Sequence, residues 1–186
     1  MKKPWETKLI EKIEDVIDSC FPKDSKKALI EFKKEKAEEI ALMEYKIDFA
    51  RGFQAWFFLK YLIKGKFTPM EFITGNSVGY FTKKELQMVE NFLNNQESLY
   101  EIISISKNKR DYEIRNVVNN KIIRVKTIDF PAKLSIGDYI YATPIKKLDN
   151  NYFFYGNVAC YSKEKGKHIE QIFLKEWEKE KCKNVK

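Results

Sequence analysis

A chain of 186 residues, 44% hydrophobic and 15% aromatic, is ample for a globular core, and its three scattered cysteines (Cys20, Cys160, Cys182) form no C-x-x-C pair, so neither a disulfide framework nor a zinc site is indicated. A single histidine, His168, argues against hydrolase and metalloenzyme chemistry, most of which leans on imidazole. The formal charge of +8 is uneven, +2 over residues 1–64, −1 over 65–98, +4 over 99–159 and +3 over 160–186, so the positive field that favours acidic partners belongs to the second half.

The N-terminal Met1-Lys2-Lys3-Pro4-Trp5 is basic but leads into an amphipathic pattern, not an apolar h-region, so no signal peptide is expected and the cytoplasm is the default compartment. Trp5, Leu9, Ile13, Val16, Ile17 and Cys20 recur at helical spacing and predict a helix ending before Phe21-Pro22. Asp24 or Ser25 then caps a second helix with Ala28, Leu29 and Phe32 inside and a solvated Lys/Glu face outside. A break is expected near Tyr45 to Asp48. The stretch Phe49 to Ile63 follows as a central helix, apolar all round in its second half and therefore enclosed; Asp48, Arg51 and Lys60 interrupt it, and it is too short to cross a bilayer. Gly65 is expected to end it.

Two helix-start signals come next. Thr68-Pro69-Met70-Glu71 combines an N-cap, a proline at the first helical position and the glutamate of a capping box, and Thr82-Lys83-Lys84-Glu85 repeats the box ahead of Leu86, Val89, Phe92 and Leu93. From Leu99 the hydrophobic period falls from about 3.6 to 2. Five strands are predicted: Leu99–Ser106, Tyr112–Val118, Lys121–Lys126, Tyr139–Ile145 and Tyr152–Val158, with Asn119-Asn120 and Asp149-Asn150 as two-residue turns. A final amphipathic helix over about 165–181 carries Ile169, Ile172, Phe173 and Trp177.

The segments Phe53-x-x-Trp56-Phe57, Thr68-x-x-Glu71-Phe72, Leu99-Tyr100-Glu101-Ile102 and Leu134-Ser135-x-Gly137-Asp138-x-Ile140-x-Ala142 resemble a group of uncharacterised bacterial proteins, many of which carry a C-terminal SEC-C zinc motif. The resemblance covers residues 49–158 and implies the order helices, then barrel. Cys182 stands alone, so the SEC-C ligands are absent and no zinc role is carried over.

A two-residue turn at Asn119-Asn120 would set Arg115 opposite Arg124 and Glu113 opposite Lys126, crowding two guanidinium groups on one face. Three of the four arginines, Arg110, Arg115 and Arg124, fall on this hairpin, and guanidinium forks suit phosphate. Arg110, Arg115, Arg124 and Lys126 are thus the candidate anion or nucleic-acid site. Tyr139, Tyr141, Tyr152 and Phe154 are candidate base-stacking rings, although packing of that aromatic face against the helical half is the favoured reading. Asp138 reads as a turn residue; Cys160 and His168, eight apart, are a conceivable nucleophile pair but fit an incidental spacing better.

These observations predict an α+β protein with a helical region (1–98), a five-stranded antiparallel small β-barrel (99–160) and a C-terminal helix (161–186) packed back on the body. The expected function is a non-catalytic binding module for nucleic acid; the alternative is a protein-interaction scaffold using apolar helical faces, and an unrecognised enzyme ranks third. No catalytic residue, metal, cofactor or membrane insertion is expected.

Overall fold

A computed structural model describes residues 4–42, 49–76, 79–108, 110–126 and 134–183. The break expected at Tyr45 to Asp48 lies outside them. The chain divides into two compact units, one helical and ending at Asn94, the other β-rich and starting at Asn95.

In the helical unit, α1 (Trp5–Cys20) buries Leu9, Ile13 and Ile17, the stripe its periodicity announces. The second helix, α2 (Pro22–Leu42), starts earlier than a cap at Asp24 or Ser25 would allow. Pro22 takes its first position, where a missing N–H is harmless, and the carbonyl of Phe21 accepts the first helical bond, from Ser25 N at 2.9 Å. Next, α3 (Phe49–Leu59) stops short of Ile63. The carbonyl of Trp56 accepts from both Lys60 N and Tyr61 N, and the chain then enters a tight hairpin, with Lys64 and Gly65 both at positive φ and Ile63 N donating to Phe67 O at 2.8 Å. Gly65 therefore shapes a turn beyond the helix instead of ending it, and Leu62, expected inside, is exposed.

Both capping boxes form. Thr68 N donates to Glu71 Oε2 at 2.6 Å and Glu71 N to Thr68 Oγ1 at 3.2 Å at the head of α4 (Pro69–Asn76); Thr82 and Glu85 make the same reciprocal pair at the head of α5 (Lys83–Leu93). The core mixes aliphatic side chains with linked aromatic rings. Phe32 meets Phe53 and Trp56, Phe57 meets Phe53, Phe58 and Tyr61, and Phe21 meets Phe72 edge-on at 5.0 Å.

The β-rich unit departs from expectation in three ways. Among the described residues it has seven strands, not five: β1 (Ser98–Ile105), β2 (Asp111–Asn116), β3 (Ile122–Lys126), β4 (Tyr139–Ala142), β5 (Pro144–Lys146), β6 (Tyr152–Phe154) and β7 (Ala159–Tyr161). They form one sheet in the order β5-β6-β3-β2-β1-β4-β7, a curled half-barrel instead of a closed barrel. It is mixed instead of antiparallel, because β6 runs parallel to β3 at Val125 and Tyr152. The physical cause lies at Thr143-Pro144. A β-prone, nearly continuous apolar run extends from Tyr139 to Ile145, but Pro144 has no N–H to continue a ladder, and past Thr143 the chain leaves β4, which pairs with β1 and β7, to make the β5–β6 hairpin at the other end of the sheet.

Alternation divides the sheet into two faces. Tyr100, Ile102, Tyr112, Ile114, Ile123, Val125, Ile140 and Cys160 fill the inner one. On the outer face Leu99, Val117 and Tyr139 pack under Ile169, Phe173 and Leu174 of the last helix, α6 (Lys163–Lys183), which lies over β4, β1 and β7. Gly166 makes this docking possible, since a Cβ there would stand 2.2 Å from Cδ2 of Tyr139. No described helix is long and apolar enough to cross a membrane.

Candidate functional site

The β2–β3 hairpin carries the predicted arginines, but two residues out of the expected register. Glu113 faces Arg124, Asp111 faces Lys126 and Arg115 faces Ile122. The turn is the reason. Asn116 Oδ1 accepts from Val118 N at 2.8 Å and Asn119 N at 3.3 Å, Asn116 N donates to Lys121 O at 2.9 Å, and only Asn120 takes positive φ, so the loop is four residues long. A shift of two leaves the faces unchanged, because strand side chains alternate with period two. It does separate the arginines, which sit diagonally on the outer face instead of opposite each other.

Each guanidinium consequently has its own carboxylate. Arg115 donates to Glu101 on β1 through Nη2 and to Asn120 Oδ1 through Nη1 at 3.0 Å, tying β1 to the hairpin loop. That bond to Glu101, more than anything else, raises the Arg115 pKa above its already high ordinary value. Arg124 is held more loosely, with a single 3.4 Å approach of Nη2 to Asp111 Oδ2 and a side chain 57% exposed against 35% for Arg115. Lys126 is exposed at the end of β3, and Arg110 is exposed just before β2, where its backbone N–H donates to Asn108 Oδ1 at 3.0 Å. Arg110, Arg124 and Lys126 thus gather at the hairpin end away from the loop, while Arg115 is drawn toward β1.

The four candidate stacking rings are not gathered into one platform. Tyr139 is 2% exposed beneath α6, and its hydroxyl donates to Glu170 Oε2 at 2.9 Å; burial first, and then that carboxylate, push its pKa well up. Tyr141 meets Phe173 of α6 edge-on at 6.1 Å. Tyr152 and Phe154 pack half-buried against the inner core. A buried ring has no open face for a base, so Tyr139 leaves the stacking set, and the helix that Tyr139 and Tyr141 pack against is α6 of their own unit.

Asp138 has two partners. One oxygen accepts from Ser135 N at 2.8 Å, closing the turn before β4, and the other accepts from Lys163 N at 3.1 Å, capping the start of α6. Sequence reasoning found the first role and missed the second, which depends on a contact 25 residues away. Cys160 points into the inner core, where burial, with the Asp138 charge behind it, pushes its thiol up to about 11, while His168 is exposed on α6 over the opposite face. The two make no nucleophile pair. Among the described residues no group of three or more His, Cys, Asp or Glu side chains could hold a metal ion.

Fold and site together define an α+β protein of two compact units whose β-rich half presents a charged hairpin beside a docked helix. The chain belongs to a family of unknown function, DUF7986, whose model matches residues 7–186. Neither a curated protein nor a solved structure matches it.

Proposed function

We propose that the β-rich unit binds nucleic acid through its phosphate backbone, with Arg110, Arg124 and Lys126 as the contacting cations and Arg115 as a buttress. The observation that carries this reading is the exposure of these three cations at one end of one hairpin, in a stretch, residues 95–186, whose 18 basic and 12 acidic side chains leave it at +6. Such a field attracts polyanions, and arginine's planar fork matches phosphate. The burial of Tyr139 and the packing of Tyr141 favour backbone contacts over base stacking, hence little sequence preference. The cytoplasm is the compartment this reading supposes.

Polarisation of labelled single-stranded and duplex oligonucleotides across a salt series tests it. Three phosphate contacts predict a log–log slope of about −2.7 on duplex and about −2.1 on single strands. Arg110→Ser/Arg124→Ser/Lys126→Ser should abolish that slope; binding that ignores both salt and the triple variant rejects the site.

A second reading, recruitment of a protein partner by the helical unit, is favoured by the exposure of Ile30, Leu62 and Tyr80 there. Complex formation that survives high salt and is lost in Ile30→Ser/Tyr80→Ser would support it over the first.

A further inference from the structure

On the outer face of the hairpin the two cations of β3 stand opposite two carboxylates of β2, Lys126 across from Asp111 and Arg124 across from Glu113. Arg124 leans along the diagonal to Asp111 at 3.4 Å, a long, single contact with an exposed guanidinium and a mostly covered carboxylate, of a kind that contributes little. Arg115 is different, because Glu101 and Asn120 both hold it. The hairpin therefore has one fixed arginine and one loosely held one.

Resting on the nucleic-acid reading above, we infer that Asp111 and Glu113 guard the Arg124–Lys126 pair, so that the strip admits a run of consecutive phosphates and turns away isolated anions. The two cations occupy alternate positions of one strand, about 6.8 Å apart. A single small anion must compete with an intramolecular carboxylate that never diffuses away. A backbone reaching both cations at once displaces the Arg124–Asp111 contact, gains Lys126 in the same event and releases its own counterions. The guard acts as a charge-density filter: it lowers affinity for every anion, and most for those that touch only one cation.

The experiment uses the full chain, a labelled duplex oligonucleotide and inorganic phosphate as competitor. Asp111→Asn is nearly isosteric and removes one repulsive charge about 6 Å from a bound phosphate, worth about a threefold tightening in a water-like dielectric. Asp111→Asn/Glu113→Gln should tighten duplex binding about tenfold. Inorganic phosphate should compete well against the double variant and poorly against the wild type. In an Arg124→Ser background the Asp111→Asn gain should vanish. Unchanged or weaker binding by Asp111→Asn overturns the guard while the nucleic-acid reading stands. Equal tightening by Glu90→Gln, the same charge change on the helical unit, also overturns it, since net charge alone would then be responsible. Failure of wild type and all variants to bind duplex rejects the nucleic-acid reading and the guard together.

Discussion

The later helices of the helical unit are started by signals that act within one turn of chain, whereas the β-rich unit takes its register and its helix docking from agreements between residues far apart. In the first, Thr68 with Glu71 and Thr82 with Glu85 start helices on their own authority, and a run of rings from Phe21 to Phe72 packs them. In the second, Asp138 joins a turn to a helix 25 residues on, Arg115 joins β2 to β1, and Tyr139 joins β4 to α6. Helix starts in the first unit are thus local while its ring packing, like the ties of the second, joins residues far apart, which sets where a substitution hurts and how.

The largest effect that sharpens this contrast is Phe57→Ala. Fully buried and touching Phe53, Phe58 and Tyr61, its loss should destabilise the chain by about 4 kcal/mol in denaturant unfolding. If it proved milder than any change in the sheet, ring packing would not be what holds the helices. Gly166→Ala comes next, at about 2 kcal/mol, because overpacking against Tyr139 outweighs alanine's better helix propensity. Its hydrogen-exchange signature should be lost protection in α6, and unchanged protection there would break the picture of a helix seated by one close approach. Smaller again is Thr82→Ala, about 1 kcal/mol, read as a lowered melting temperature.

The smallest effect is a pH dependence. The Thr82 backbone N–H, with Lys12 beyond it, holds the Glu85 carboxyl below the usual carboxylate range. A depressed value means that Glu85 contributes stability at neutral pH, and that this contribution is lost as pH falls from about 4.5 through its folded value. Glu14 works the other way: burial raises it, so acidification relieves it. The stability gap between wild type and Glu85→Gln should therefore close in acid, and a gap that persists there would assign Glu85 a packing role instead.

The same contrast explains how much could be read from the sequence. The capping boxes, the α1 stripe and the existence of β1, β2 and β3 were legible because each is a short-range pattern. The hairpin register was not, because it depends on whether Asn116 turns its side chain onto Val118 and Asn119, a choice invisible to a pairing rule that sees only Asn119-Asn120. The switch at Thr143-Pro144 was hidden by an apolar run that continues straight through it. At the candidate site, residue types and face were legible while neighbours were not, so Arg115 and Arg124 looked like a mutual repulsion and proved to be two separately compensated charges.

The half-barrel stops at β5 and β7, each three residues long, and β5 opens on a proline. Strands so brief offer an incoming chain few backbone groups to copy, and Pro144 withholds one of them. Concentrated solutions should for that reason resist fibrous self-association, a protection that lengthening β7 by a few β-branched residues would remove.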